Sequence, residues 1–320
     1  MNIAIIGAGL AGLACAARLT EGGHDVRLFD KGRGPGGRMS SRRVATPLGE
    51  AGFDHGAQYF TVRDAGFRAR VDAWQRDGLV APWPAAGPDS WVGVPAMNAP
   101  VKQLASTAAV RWNTRVDSIS GGAGEWLLQG ENDLREGPFD AALLAVPSEN
   151  ATQLLTGLSP TMAARAIATP AQPCWTVMAA FSARLRVDPD VLREDGPIGW
   201  AARNSAKPGR AGPEAWVVQA GPAWSREHIE ETPAGIVPKL LAVLSDRIGA
   251  PLPATLSASA HRWRYARSGN AGLGMMWDPA QRLGLCGDWL LGPRVECAWM
   301  SGDQLAHAVL ASPPDNTLIL

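Results

Sequence analysis

A glycine-rich turn between an apolar strand and an alanine-rich helix is the feature that most constrains the fold of this 320-residue chain. A strand is predicted over residues 2–6, and a helix over residues 10–21 that ends at two glycines. Between them Gly7, Gly9 and Gly12 match the GxGxxG spacing. The first glycine permits a tight turn, the second lets the backbone approach a pyrophosphate, and the third lets helix and strand pack closely. The pattern predicts a Rossmann-type βαβ unit that binds a dinucleotide.

An acidic residue completes this pattern. Asp30 follows the second predicted strand, residues 24–29, where a carboxylate can accept hydrogen bonds from ribose hydroxyls. Leu10 and Ala11 open the predicted helix, whose N-terminus offers free N–H groups and about half a positive charge to a phosphate. These residues predict nucleotide binding but do not separate NAD from FAD.

A second glycine-rich segment makes that distinction. Residues 32–38, GRGPGGR, follow Asp30 and Lys31 and resemble the second glycine motif of the flavin-containing amine oxidase superfamily, in which an acid is followed by Gly-Gly-Arg. Many relatives have glutamate where this chain has Asp30. The resemblance implies non-covalently bound FAD, with Gly37 at the cofactor and the Arg38 guanidinium beside the pyrophosphate.

The motifs that follow resemble the renalase branch of that superfamily. Arg38 and Met39 begin the sequence RMSS, and residues 54–61 read DHGAQYFT. The resemblance implies that Met39 and the residues Gly56, Ala57 and Gln58 contact the flavin.

Three further segments are similar to other cofactor-binding elements of the superfamily. The sequence LCGDW contains Gly287 and Asp288, which the resemblance places at the ribityl chain. A last predicted helix begins at Val295, and its N-terminus is expected to face the flavin pyrimidine. The remaining expected cofactor contacts are Glu296, Ala298 and, at the adenine, Val116.

The order of these elements predicts an α/β protein with two domains. We expect a glutathione-reductase-like, amine-oxidase-type FAD-binding domain in three pieces, residues 1–62, 101–150 and 270–320. An α+β substrate domain, residues 63–100 and 151–269, is inserted in two pieces, with strands over 173–183, 215–220 and 255–265, a helix over 233–248 and a loop over 82–100.

Bulk composition bears on partners and compartment. The formal net charge is zero, which argues against a nucleic-acid binder. The four cysteines form no CxxC pair, the five histidines show no metal-binding spacing, and no window has about 18 consecutive apolar residues. We expect reduced buried thiols, no metal, no membrane span, a cytoplasmic location and a monomer or homodimer.

The substrate pocket is less legible in the sequence. Thirteen tryptophans against two tyrosines suggest that some of them line a pocket for a flat ring. Gln58 and Tyr59 are candidate pocket residues, as are Trp263 and Tyr265. In a strand, alternation would put these last two on one face and Arg262 and Arg264 on the other.

Three hypotheses for the function follow. The renalase resemblance implies oxidation of misreduced dihydronicotinamide isomers of NAD(P), with hydride passing to flavin N5 and O2 forming hydrogen peroxide. The second is oxidation of a small amine, as in the wider superfamily. Many enzymes of that superfamily place a lysine near flavin N5, so the scarcity of lysine in this chain is mild evidence against the second hypothesis. The third is a nucleotide-binding protein without redox activity.

Overall fold

The computed structural model describes residues 1–193 and 196–312. In chain order its strands are β1 (Asn2–Ile6), β2 (Asp25–Phe29), β3 (Ser41–Thr46), β4 (Gly49–Asp54), β5 (Phe60–Thr61), β6 (Val80–Pro82), β7 (Ser90–Gly93), β8 (Ala109–Arg111), β9 (Val116–Ser120), β10 (Trp126–Gly130), β11 (Leu134–Phe139), β12 (Ala141–Leu144), β13 (Gln172–Phe181), β14 (Val191–Arg193), β15 (Ile198–Arg203), β16 (Glu214–Ala220), β17 (Thr255–Arg267), β18 (Met276–Asp278) and β19 (Leu283–Leu285).

The helices are α1 (Leu10–Glu21), α2 (Ala65–Arg76), α3 (Ala99–Ser106), α4 (Ser148–Leu155), α5 (Pro160–Ile167), α6 (Pro222–Glu227), α7 (Pro233–Ile248) and α8 (Val295–Ala311). Short 3-10 helices cover Gly37–Met39, Pro84–Ala86, Asn204–Ala206 and Asp288–Leu290. In the part of the chain that the structure describes, no helix combines the length and the apolar character that a membrane crossing requires.

The chain forms two compact units. Among the described residues, the first unit comprises residues 1–37, 101–170 and 268–312, and the second comprises residues 38–100, 171–193 and 196–267. Residues 313–320, which the sequence assigns to the FAD-binding domain, lie outside the described residues.

The predicted Rossmann-type sheet of the first unit is confirmed. Its strand order is β18-β19-β12-β1-β2-β8, with parallel pairing throughout except for the edge pair β18–β19. The apolar run of β1 is buried as predicted, because both faces of a parallel sheet are covered. The strands β9, β10 and β11 form a separate antiparallel sheet, whose Trp126 and Phe139 pack into the same core.

The second unit is built on an antiparallel sheet of order β14-β15-β16-β13-β17. Alternate residues of β13 face opposite sides, since side chains alternate along a strand. Val177 and Ala179 share a core with Ile236 and Leu240 of α7. Residues on the other face, which include Met178, pack against the β3–β4 hairpin. The sheet is therefore covered on both faces.

The predicted helix over 233–248 is confirmed at both ends. The side chain of Thr232 caps the helix by accepting a hydrogen bond from the Gly235 N–H, and Gly249 ends it in the left-handed conformation at φ 63°. The expected loop over 82–100 contains the short strand β7, which pairs with β5 and β6. Its apolar Val92 is fully buried, so burial overrides the surrounding glycines and prolines.

The two compact units differ from the predicted domain boundaries in three segments, of which the shortest, residues 268–269, belongs to the first unit. Residues 38–62 belong to the second unit, because Ala51 and Phe53 of β4 pack on the second unit's sheet. Residues 151–170 belong to the first unit, because Leu155 and Met162 of α4 and α5 pack into the core around Trp126.

Candidate active site

The glycine turn of the first unit has the geometry that its spacing predicts. Gly7 adopts φ +104°, and a Cβ atom there would lie 2.5 Å from the carbonyl oxygen of Ala145. A Cβ atom on Gly12 would lie 2.0 Å from the carbonyl oxygen of Gly7. A Cβ atom on Gly9, by contrast, would meet no protein atom within 4 Å. Gly7 and Gly12 therefore serve the protein's own packing, whereas Gly9 leaves the backbone open to a ligand.

The N-terminus of α1 begins at this open position. Gly9 is its N-cap residue, and no side chain caps the helix. The first-turn N–H groups, which include those of Leu10 and Ala11, have no acceptor within an α-helix. An uncapped helix start beside an unobstructed glycine fits the pyrophosphate of FAD.

Asp30 joins the loops that follow β1 and β2. Its Oδ2 accepts a hydrogen bond from the Ala8 N–H at 2.7 Å, and its Oδ1 accepts one from the Gly32 N–H at 2.6 Å. Each carboxylate oxygen retains a further lone pair, so a ribose hydroxyl can still donate to it. The ribose contact of Asp30 and the cofactor contact of Lys31 stay predictions.

A residue of α8, Ser301, holds the Gly-Asp element near the C-terminus in place. Gly287 follows β19 at φ +153°, and its N–H donates to the hydroxyl of Ser301 at 2.9 Å. That hydroxyl in turn donates to the carbonyl oxygen of Gly274 at 2.5 Å. Asp288 is 7% exposed at the start of a 3-10 helix. The position of the pair is thus set by buried hydrogen bonds before any cofactor contact.

Close helix packing positions the start of α8. A Cβ atom on Gly302 would lie 2.1 Å from the carbonyl oxygen of Ala11, so glycine lets α8 approach α1. The helix begins at Val295, as predicted, and no side chain caps it. The FAD contacts expected from this turn and from β9 stay predictions; they involve Val295, Glu296 and Ala298 and, at the adenine, Val116.

In the second unit, the segment that begins at Arg38 meets the segment that contains Gly56 and Ala57. The N–H of Ala57 donates to the carbonyl oxygen of Arg38 at 2.8 Å. A Cβ atom on Gly56 would lie 2.0 Å from the same oxygen. Met39 is 5% exposed beside them. The Gly-Ala pair therefore keeps its backbone against Arg38.

A buried ionic network lies next to these motifs. The carboxylate of Asp54 accepts hydrogen bonds from Lys207 Nζ at 3.2 Å and from an Arg210 Nη at 2.5 Å. It also accepts hydrogen bonds from the Ser41 hydroxyl at 2.7 Å and the Met97 N–H at 2.9 Å. Burial acts to raise the pKa of Asp54, but the two cations outweigh it and hold that pKa well below its usual range.

Lys207 is the residue that the sequence analysis missed. Its side chain is fully buried, and burial lowers its pKa to about 8 although Asp54 opposes this shift. The sequence contains one clue, since Lys207 and Arg210 flank a Pro-Gly turn, but an isolated lysine on a loop is normally solvated. Only the fold brings these cations to Asp54.

Gln58 is held by this network. Its amide nitrogen donates to the carbonyl oxygens of Asp54 and Gly56, and its Oε1 accepts a hydrogen bond from Lys207 Nζ at 3.3 Å. The side chain is buried, and its orientation is set by these partners. The structure thus makes Gln58 a fixed member of the buried network, and its contact with substrate or flavin stays a prediction.

Tyr59, the next residue, forms a half-buried aromatic pair with Trp200. The ring centroids lie 5.2 Å apart at an interplanar angle of 27°. The guanidinium of Arg193 lies 4.9 Å from the centre of the Trp200 ring, which is cation–π distance. A stacked pair with a cation at its face suits a flat, electron-rich or anionic ligand.

A second aromatic group surrounds Trp263. This ring stacks on His55 at 5.3 Å, meets the edge of His261 at 4.4 Å, and donates from Nε1 to the His55 carbonyl oxygen at 2.8 Å. Burial is the main cause that lowers the pKa of His55 to about 3 and that of His261 to about 4. Both imidazoles are therefore neutral near pH 7. Tyr265, two positions after Trp263, is half-buried.

The predicted alternation along β17 is seen in the contacts of its arginines. Arg264 forms a bidentate pair with Glu230 at 2.8 and 3.0 Å. Arg262 donates to the same carboxylate at 3.3 Å and to the Ile229 carbonyl oxygen at 2.6 Å. The charges of these two arginines are therefore already compensated by a carboxylate.

Family models match most of the chain. Residues 85–310 match the model described as flavin-containing amine oxidoreductase, and residues 5–72 match the NAD(P)-binding Rossmann-like domain. The chain belongs to the flavin-containing amine oxidoreductase family. FAD is the cofactor of this family, as predicted, and the chain is an FAD-dependent oxidoreductase.

Solved structures of the family share the fold. A protein provisionally assigned as protoporphyrinogen oxidase, from Exiguobacterium sp. 255-15, has a TM-score of 0.75 at 11% identity over 96% of this chain and 98% of that one. Cyclohexylamine oxidase from Brevibacterium oxydans IH-35A has a TM-score of 0.69 at 14% identity over 97% and 98%. An engineered putrescine oxidase has a TM-score of 0.72 at 12% identity over 98% and 99%. At these identities the likeness concerns the fold alone.

Curated sequence relatives match only a short segment. The 4,4'-diapophytoene desaturase of Staphylococcus aureus (strain Newman) is 55% identical over 40 residues. This segment is 12% of the chain and 8% of the desaturase. The match therefore says nothing about the substrate.

Proposed function

We propose that this flavoenzyme oxidises isomeric dihydronicotinamide dinucleotides, the 2- or 6-dihydro forms of NAD(P), to NAD(P)+. FAD, when bound, supplies a hydride acceptor at N5 that O2 reoxidises with formation of hydrogen peroxide. In this reaction a ring C–H bond breaks, its electron pair leaves with the hydrogen, and the substrate ring becomes an aromatic cation. No proton leaves the substrate in this step, so the protein needs no general base for it.

The observation that carries the proposal is the net positive charge of the buried network around Asp54. Asp54 is buried beside Gln58 and already pairs with two cations, Lys207 and Arg210. Three charged groups in this network thus leave a net charge of about +1 when Lys207 is protonated. Such a field favours an anionic dinucleotide and disfavours an ammonium substrate.

The aromatic pair of the second unit supports the same substrate class. Tyr59 and Trp200 offer stacked, half-buried rings, and the guanidinium of Arg193 lies within cation–π distance of both, 5.9 Å from the Tyr59 ring centre and 4.9 Å from that of Trp200. A dihydronicotinamide ring is flat and uncharged, so it gains from stacking, while its phosphates gain from the cations. Binding therefore orients the ring without any acid–base group.

Oxidation of an amine is the alternative. The family name and the fold of cyclohexylamine oxidase and putrescine oxidase favour it. The scarcity of lysine no longer argues against it, because Lys207 is buried in the second unit. However, Lys207 Nζ is held by Asp54 and Gln58, and an ammonium group would meet the same excess of positive charge.

Product analysis tests the proposal. We expect FAD-loaded enzyme to convert 6-dihydro-NAD into one NAD+ and one hydrogen peroxide per O2 consumed, as measured by chromatography and an oxygen electrode. Ordinary NADH and a panel of small amines are the controls. Peroxide formation from an amine, with none from the dihydro-NAD isomers, would transfer the assignment to amine oxidation. FAD binding without turnover of either class would favour a protein without redox activity.

A further inference from the structure

Arg42 stands apart from its neighbours because no counterion for its charge lies among the described residues. It lies on β3, half-buried, and an Nη atom lies 3.2 Å from His261 Nδ1. Within residues 1–193 and 196–312 the structure records no ion pair to Arg42. Because a guanidinium is always protonated in proteins, its hydrogen bond to His261 leaves the positive charge uncompensated.

The neutral imidazole beside Arg42 adds a second hydrogen-bond donor to this surface. Because Arg42 can only donate, His261 Nδ1 must be the acceptor, and the ring proton is then carried by Nε2. Arg42 and His261 thus present donors only, from two strands of the second unit. The edge of His261 packs against Trp263 at 4.4 Å, which fixes the ring.

The acidic groups nearby cannot serve as the missing counterion. Asp54 is the carboxylate whose charge acts on neighbouring His55, and it is already bound by Lys207 and Arg210. Arg43, the next residue in the strand, points away and pairs with Glu50 at 3.5 Å. A half-buried cation with two donor groups and no anion has the composition of a phosphate site.

We propose that Arg42 and His261 form an anion site that binds a phosphate of the dinucleotide substrate. This inference rests on the proposed function, because it names the group that would recognise the substrate's phosphates. Trp263 supplies the adjoining aromatic surface, which gives the sequence-predicted pocket residue a role in orienting the phosphate-binding imidazole. Arg42 is then a specificity residue, which distinguishes a dinucleotide from the bare reduced ring.

A pair of substrates with the same ring tests the site. FAD-loaded wild type, Arg42→Ala and Arg43→Ala are assayed with 6-dihydro-NAD and with 6-dihydronicotinamide riboside, which has no phosphate. We expect Arg42→Ala to raise KM about tenfold or more for the dinucleotide, the loss typical of a charge-assisted hydrogen bond. The KM for the riboside and kcat for both substrates should stay near wild type. Arg43→Ala, the matched control, should leave all values unchanged.

Equal changes in KM for the two substrates would overturn the site, because a merely structural role affects both alike. Loss of FAD from Arg42→Ala, measured by flavin absorbance per protein, would instead assign Arg42 to the cofactor's phosphates and also overturn it. A calorimetric titration with ADP-ribose, which has the pyrophosphate but no nicotinamide ring, separates the site from the proposed function. Binding to wild type that weakens about tenfold in Arg42→Ala supports the site even if no dihydronicotinamide is oxidised. Equal binding by the two proteins, or none by wild type, contradicts it.

Discussion

The first unit builds its nucleotide-binding elements from backbone, whereas the second unit builds its interior from charged and aromatic side chains. In the first, Gly7, Gly9 and Gly12 shape a turn within a single βαβ unit. In the second, Asp54 is joined to Lys207 and Arg210 across more than 150 residues of sequence. Under the proposed function, backbone geometry in the first unit holds the cofactor, whereas side chains of the second unit select the substrate.

The largest effect is expected from breaking the buried network of the second unit. Asp54→Asn leaves Lys207 and Arg210 buried without an anion, which should lower the free energy of unfolding by about 3–5 kcal/mol. Urea denaturation of the FAD-loaded protein measures this loss. Asp89→Asn, an exposed acid of the same unit, is the matched control and should change stability by no more than about 0.5 kcal/mol. A loss below about 1 kcal/mol in Asp54→Asn would contradict a buried, charge-paired Asp54.

Two alanine substitutions in the glycine turn separate packing from cofactor binding. Gly12→Ala puts a Cβ atom 2.0 Å from the Gly7 carbonyl oxygen, and should destabilise even the FAD-free protein by about 1–3 kcal/mol. Gly9→Ala meets no protein atom, so it should weaken FAD affinity while the FAD-free protein keeps its stability. Thermal unfolding with and without FAD, together with flavin content, measures both effects. Identical behaviour of the two variants would show that the turn does not divide these roles.

A smaller effect is expected at the aromatic pair. Tyr59→Leu removes one ring of the stacked pair, and the loss of an aromatic contact with the substrate ring, worth about 0.5–1.5 kcal/mol, should raise KM for 6-dihydro-NAD up to about tenfold. Tyr59→Phe keeps the ring and should behave like wild type. Steady-state kinetics and flavin content measure this. If Tyr59→Leu loses FAD instead, Tyr59 belongs to the cofactor site rather than to the substrate pocket.

The smallest effect concerns a single proton. Burial and then the charge of Arg42 lower the pKa of His261 to about 4, so the folded ring stays neutral while an unfolded one is protonated below pH 6.5. Stability linked to His261 is therefore lost as the pH falls from 6.5 towards 4. In Arg42→Ala the pKa should rise but stay below 6.5, because burial remains. NMR titration of the imidazole measures the shift, and an unchanged pKa would mean that Arg42 does not act on His261.

The fold could be predicted from sequence because its determinants are local. The GxGxxG turn, Asp30 and the helix over 233–248 each depend on residues close together in the chain. The structure contains the helix after the glycine turn and the helix over 233–248 where they were predicted. The placement of 38–62 could not be predicted, since it depends on Ala51 and Phe53 packing on a sheet formed much later in the chain.

The substrate side of the site was only partly accessible to the same reasoning. Tyr59 and Trp263 were predicted to be pocket residues; the structure places both in aromatic groups, and their contact with a substrate stays a prediction. Lys207 could not be found, because nothing in its own segment shows that it is buried. The pairing of Arg262 and Arg264 with Glu230 was equally hidden, because the acid comes from a different part of the chain.

Anaerobic reduction of the flavin is the measurement that tests the central claim most directly. With FAD-loaded protein and no oxygen, 6-dihydro-NAD should bleach the flavin absorbance band rapidly and in equal stoichiometry, while ordinary NADH and small amines should not. This result would support a backbone-held flavin served by a cationic, aromatic substrate surface. Bleaching by an amine alone, with the dihydro-NAD isomers inert, would contradict it.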